Sequence, residues 1–596
     1  MHDCHPSRLR GGLALIQLVF VVAFQNADAG SATWVLHPSS GDWNQAANWT
    51  PAQIPNGPTD SATFGVSDIT NLSVGKTAIE VNGVVFNPGA SAFTTTVTYP
   101  AALFTISGAG VINNSGTMQN FVTPTSASGP NTATTTFTGN ASAGALTTFT
   151  NQGSAGPPPG LLQFLSSSSA GSAMIFNNGG IAPTSGGATR FSDSATAANS
   201  TIVCRGGTVG SAQGGTLYVL LNSTADHSTI TLEGAGVAVA AGGVAQLSDS
   251  ATAANANIFV LGGSVSGAGG GSLQFYAGAC GGDATITLSG PSGGSSFGGS
   301  ALFDLTSTAG NAFLTADSGS LGAAGSTTVG FYSDSTGGTA RVRLLHTGTL
   351  NIGAHNVPGV TIGSLEGDGI AALGVSDHPG QGRNLTIGSN NLSTTFSGTI
   401  QDNGGGSLTK LGNGRLTLTG PSTYTRHTSV QAGQLLISNL TGSGTGTGPV
   451  QVNGGTLGGS GTIAGPVTVG RGTGRAAFIS PGNGDKSIGA LTIQSALTCR
   501  ANCIYSCGIS RDRGTADRLV ASGTTIAAGA MISLSLNGTG TLAQGTVFIL
   551  LDNTSANPIA GTFANLPDGG IVTVGGLNFQ ANYEGGDGND LTLTVL

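Results

Sequence analysis

Three cysteines, Cys499, Cys503 and Cys507, follow one another at intervals of four residues near the C-terminal end of this 596-residue chain. Closely spaced thiols suggest a metal centre or a disulfide, and each demands a set geometry. A tetrahedral structural zinc site takes four ligands, and no second Cys or His group lies nearby to complete one. On a single strand, residues four apart share a face but stand roughly 13 Å apart, too far for a disulfide. The three are read as small apolar side chains facing a core, with oxidised cross-links to another coil or chain and a metal site as alternatives. Together with Cys204 and Cys280 they make five cysteines after Cys4. That odd number leaves at least one thiol outside any intramolecular disulfide.

Other chemistry-bearing residues are dispersed. The segment SDSATAAN occurs at 192–199 and again at 248–255. Its aspartates, Asp193 and Asp249, are separated by a coil in which Leu221 takes the same place, so they would stand roughly 10 Å apart on a turn. Solvated turn caps are expected there, not an acid–base pair. GGDGND at 585–590 has the pattern of a calcium-binding nonapeptide. A single copy lacks the stacked neighbour that supplies the remaining oxygens; the alternative to a plain turn is a weak calcium site at Asp587 and Asp590. His355, His378 and His427 fall in loops without ligand spacing, and the 26 Asp and Glu form no column of stacked acids. No catalytic residue, cofactor-binding residue or metal ligand is therefore assigned, no cofactor is expected, and the chain is read as not an enzyme. The other reading, a carbohydrate-active enzyme, would need converging carboxylates in a groove.

The elements that carry these residues are strands. Charged residues are only 7% of the chain and Gly contributes 102 positions, while mean hydropathy is +0.17. Disordered chains are poor in hydrophobic residues and rich in charge, and this one is neither. Short alternating runs such as TLYVLL, RLTLTG and LTLTVL sit between Gly, Asn and Ser turns, a strand-and-turn signature. Formal net charge is −8 with three lysines, Lys76, Lys410 and Lys486, which leaves no basic tract to follow a phosphate backbone. Nucleic acid is excluded as an expected partner.

Residues 1–29 read as a signal peptide. Arg8 and Arg10 precede the apolar run 11–24, and Ala27-Asp28-Ala29 gives a small-x-small cleavage pattern. That run is short of the ~20 residues a membrane span needs, and no later segment supplies a span. A secreted, extracellular or cell-surface bacterial protein is expected.

The strands repeat. From Phe191 an apolar anchor returns every 28 residues at Val219, Leu247, Phe275, Phe303 and Phe331. A second column follows at Ile202, Ile230, Ile258, Ile286, Leu314 and Val342, and a third at Cys204, Leu232, Val260, Leu288, Ala316 and Leu344. Only small residues, Ser200, Ser228, Ala256, Ala284, Ala312 and Ala340, stand two positions before the second column, where the wall is expected to turn tightly. A Gly-Gly pair precedes five of the six anchors and is expected to mark a corner with positive φ. A weaker column at Val209, Val237, Val265 and Leu321 suggests a third strand in each coil. Units this thin bury an apolar face only by stacking. The fold class is therefore all-β: a β-solenoid, or parallel β-helix, of about 28 residues per coil, with an N-terminal cap and a C-terminal β region. The expected division is 1–29 signal peptide, 30–65 cap, 66–185 irregular coils, 186–346 six regular coils, 347–480 further solenoid and 481–596 the C-terminal β region. Trp34, Trp43 and Trp49 fall in the cap segment, either as an apolar plug or as a surface for stacking on sugar.

The segment NGGGSLTKLGNGRLTLTGPSTYTRHTSVQAGQLLI at 403–437 resembles the autotransporter-associated β-strand repeat. Leu408, Thr409, Lys410, Leu416, Leu418, Tyr424, Gly433 and Leu435 carry the match. Pro421-Ser422 and Arg426-His427 depart from it. GDWNQAANWTPAQIPNGPTDSATF at 41–64 and the segments SPGN, DRLV and GGDGNDLTLTVL resemble the opening and closing regions of such proteins. The resemblance implies a secreted or surface-displayed β-solenoid of structural or adhesin-like character. Polysaccharide or cell-surface components are its expected partners. The chain beyond 437 is too short for a membrane barrel of a dozen or so strands, so a passenger-like protein without its own translocator is expected.

Overall fold

Four-residue strands with every second side chain buried build this protein. In Thr201–Cys204 the pattern places Ile202 and Cys204 inward, and in Thr216–Val219 it places Leu217 and Val219 inward. A strand this short gains little alone, so neighbours must cover both of its edges. The computed structural model describes residues 30–75, 77–98, 103–125, 132–156, 158–319, 325–374, 382–482 and 487–596. Residues 1–29, where a signal peptide is expected, and with them Cys4, lie outside the described residues, as do Lys76, Leu321, His378 and Lys486. No helix is long and apolar enough to cross a membrane among the described residues. The chain divides into two compact units, residues 1–329 and 330–596.

The first unit is a parallel β-solenoid whose coils are in register. Phe191, Val219, Leu247, Phe275 and Phe303 are successive partners in one sheet. Ile202, Ile230, Ile258, Ile286 and Leu314 are partners in the other. The same anchor column extends back through Phe164 to Phe137 with a step of 27. Its rings stack: Phe164 on Phe191 at 4.7 Å and Phe275 on Phe303 at 4.6 Å, within 9° of parallel. Each fully buried Phe contributes roughly 1.5–3 kcal/mol of burial, and each ring pair about 0.5–1.5 more. The Ser/Ala column is wholly buried at a tight turn, with Ser200 N–H donating to Ala197 O and Ala256 N–H to Ala253 O.

Two expectations about the coil are corrected. The Val209, Val237 and Val265 column is not a strand. These residues are 36–39% exposed at a turn, and the inward position three residues later belongs to the buried Ala212, Ala240 and Ala268. Each regular coil has two strands. Its other links to the next coil are an isolated bridge in the run Ser169, Thr196, Thr224, Thr252, Cys280, Thr308 and backbone hydrogen bonds between turns, such as Thr208 N–H to Gly180 O and Ala241 N–H to Ala212 O. The paired glycines do not have positive φ. A Cβ on Gly214 would stand 2.0 Å from the Gly242 oxygen and one on Gly215 1.9 Å from the Asn177 oxygen. Close approach of neighbouring coils, not backbone handedness, excludes a side chain there. Positive φ occurs two residues after the anchor instead, at Asp193, Leu221, Asp249, Ala277 and Leu305.

The open N-terminal end is plugged by the tryptophans. Trp34 and Trp43 both pack edge-on against Trp49, at 5.0 and 4.9 Å, and all three contact Phe64. All are at most 2% exposed, so none presents a face to a sugar.

The second unit is a solenoid with shorter, uneven coils. Leu385 pairs with Leu408, Leu408 with Thr428, and Leu416 with Leu435, steps of 23, 20 and 19 residues. Leu408, Leu416, Leu418, Tyr424 and Leu435 are buried, so the signature residues of the 403–437 repeat are interior residues. At the C-terminal end the pairing turns antiparallel: Val547–Asn553, Asp590–Val595, Leu577–Gly585 and Ile571–Val574 form a meander. It continues a parallel sheet through the pairing of Leu519 with Leu551 and ends on the edge strand Ile571–Val574.

Candidate functional site

Most of the described residues singled out in the sequence for their chemistry are held by the scaffold. Asp193, in left-handed backbone, accepts a 2.7 Å hydrogen bond from the Ser166 N–H of the preceding coil, and Asp249 accepts one from Leu221 N–H at 3.4 Å. Both are turn caps. Asp590 is buried and accepts from Asn553 N–H at 2.8 Å; Asp587 lies in the hairpin turn that starts at Gly585. Desolvation raises the Asp590 carboxyl above the usual carboxylate range. His355 places both ring nitrogens 2.6 Å from carbonyl oxygens, of Asn356 and Ser335, and His427 is exposed on a loop. Among the described residues, no three His, Cys, Asp or Glu converge on a metal position.

The cysteine geometry differs from the single-strand expectation. Cys499 ends the strand Leu497–Cys499 and Cys503 begins Cys503–Ser510. Between them the chain turns, closed by Cys503 N–H donating to Arg500 O at 2.8 Å, which brings the two thiols close enough that Cys499, with burial, raises the Cys503 thiol. Only Cys503 and Cys507 share a strand. All three are buried and free, as is Cys204. Burial raises the Cys507 thiol, and it pushes Cys204 up to about 12.

Lys410 belongs to the repeat signature, yet the residue is only 1% exposed. It donates to the carbonyls of Leu411, Gly412 and, from the following coil, Ala432. Burial pushes it down to about 8. Lys410 is thus a corner staple between coils.

Two clefts open on the outer wall of the second unit. The first, of about 190 Å³, is lined by Asp517 together with Ser480, Ser506, Ser533 and Ser535. The Asp517 carboxylate accepts 2.8 Å hydrogen bonds from Gly489 and Gly508 N–H, which ties a loop to the wall. Burial pushes Asp517 up to about 6. With both oxygens engaged by backbone, its role is to position that loop.

The second cleft, of about 420 Å³, gathers Arg341, Arg343, Arg415 and Glu366. Alternation dictates this convergence. Val342 and Leu344 point inward on Arg341–Leu345, which sends Arg341 and Arg343 out, and Leu416 points inward on Arg415–Leu418, which sends Arg415 out. Parallel pairing places Arg343 opposite Glu366. Arg341 takes that carboxylate with a forked pair of bonds, Nε to Oε1 at 3.1 Å and Nη2 to Oε2 at 2.8 Å. Arg343 and Arg415 were missed in the sequence because 72 positions separate them and no fixed period connects them.

Comparison with known proteins agrees with the repeat. Residues 408–437 match the family model of the passenger-associated-transport-repeat. No curated protein matches the chain. Among solved structures, the crystal structure of the Haemophilus influenzae Hap adhesin is similar over 90% of this chain and 64% of that one, with 10% identity and a TM-score of 0.28. The match thus spans less than two thirds of that structure.

Proposed function

We propose that this protein is a secreted or surface-displayed structural, adhesin-like β-solenoid that acts by presenting its walls to extracellular partners. The observation that carries this reading is the passenger-associated-transport-repeat at 408–437, whose signature residues are spent on the scaffold itself. Two supports accompany it. The N-terminal segment has the charge, apolar run and cleavage pattern of a signal peptide. Asp193, Asp249 and Asp517 are engaged by backbone and Cys204, Cys499, Cys503 and Cys507 are buried, which favours a non-enzymatic role.

The test is location. A tagged protein expressed in a bacterial host is expected in the medium or on the cell surface, where added protease digests it on intact cells. Retention of the whole pool in the cytoplasm, protected until lysis, would overturn the reading.

A further inference from the structure

We propose that the face carrying Arg343 and Arg415 binds the acidic groups, carboxylate or sulfate, of a polysaccharide. This rests on the displayed-solenoid reading, since such a ligand is met outside the cell.

Charge is scarce in this chain, with 18 Lys and Arg in 596 residues, yet three arginines share one cleft. One carboxylate, Glu366, faces them, and Arg341 occupies both of its oxygens. Arg343 and Arg415 are exposed and have no ion pair among the described residues. A guanidinium presents a planar fork of donors that matches a carboxylate or sulfate bidentately and stays charged at any physiological pH.

The surroundings suit a sugar. Ser393, Thr394 and Thr395 line the same cleft and bring hydroxyls to it, that of Ser393 accepting the Arg415 backbone N–H at 3.1 Å. Gly367, with φ of +99°, leaves no side chain in the floor. Beyond Arg415 the outward row continues in register through Gln434 to Thr456. These neutral polar groups recur at the strand spacing of ~4.8 Å, so a glycan lying along the wall meets donors and acceptors after its acidic group is caught. Two fixed cations on a chain of net charge −8 do not follow a polyphosphate backbone.

The experiment measures binding of the purified full-length protein to an immobilised uronate polymer, a sulfated dextran and neutral dextran, with duplex DNA and anionic vesicles as further arms. Saturable binding to one or both acidic polymers is expected, weakening with salt, with neutral dextran at least tenfold weaker. The uronate and sulfate arms identify which acidic group is preferred. Arg343→Gln with Arg415→Gln should reduce binding at least tenfold at unchanged melting temperature. Arg190→Gln, an exposed arginine on the first unit's wall, should bind as the unaltered protein does. Equal binding by the double variant, no binding to either acidic polymer, or stronger binding to DNA or vesicles than to glycan would overturn the proposal. None of these results would alter where the protein is found, so the displayed-solenoid reading stands or falls separately by fractionation.

Discussion

The ammonium of Lys410 lies 3.0 Å from the carbonyl oxygen of Gly412, inside a corner of the second unit. With Leu411 and Ala432 as its other acceptors, it satisfies carbonyls on two successive coils. A buried cation is tolerated only where such partners replace water. Lys410→Met should therefore leave carbonyls unmet and destabilise the repeat by about 1–3 kcal/mol. In a solenoid such losses stay local. Hydrogen exchange should speed up in peptides from 408–437 and remain unchanged in the first unit.

Asp517 makes a prediction about pH. Its carboxyl is pushed up to about 6 from an ordinary 3.8, so between those values the folded chain holds a proton the unfolded chain has lost. The associated stability is present in full below 3.8 and disappears as pH rises through 6. Asp517→Asn removes that titration. The stability difference between the unaltered protein and the variant should shrink by about 1–3 kcal/mol from pH 4 to pH 7, measured by denaturant midpoints.

The Gly-Gly corners predict a contrast with glycines outside them. Gly215→Ala drives a Cβ to 1.9 Å from the Asn177 oxygen, whereas a Cβ at Gly236 meets nothing closer than Ser264 Oγ at 3.6 Å. The first change should cost more than about 2 kcal/mol through overpacking, and the second should stay within about 0.5. Thermal unfolding of the two variants distinguishes them.

Leu221 holds φ of +58° at a position where other coils place Asp193 and Asp249. A branched side chain in left-handed backbone costs about 1–2 kcal/mol. Leu221→Asn should raise stability by about 1 kcal/mol, and the side chain is exposed enough that little packing is lost.

Much of this architecture was legible in the sequence because in-register stacking repeats a coil's interior choices at a constant interval. Phe191, Ile202 and Ser200 each lie on a 28-residue column that the structure keeps inward. The errors have physical causes. Glycine answers both to positive φ and to close approach, so the residue type at 214 and 215 could not separate them. Val237 is apolar and periodic, yet it lies on the outside of a turn whose inward place belongs to Ala240. Cys499 and Cys503 meet because Arg500–Asn502 bend the chain, which an interval of four does not reveal. The arginine cleft was hidden because the coil step falls from 28 to 19 residues between the regular block and the repeat, and no period aligns Arg343 with Arg415.

The central claim, that the outer walls bind and do not catalyse, is tested most directly by incubating the purified protein with a panel of labelled glycans and following bound and cleaved label together. The account predicts saturable retention of intact glycan with no release of fragments at any time. Sustained fragment release, abolished by a single Asp→Asn change, would contradict it.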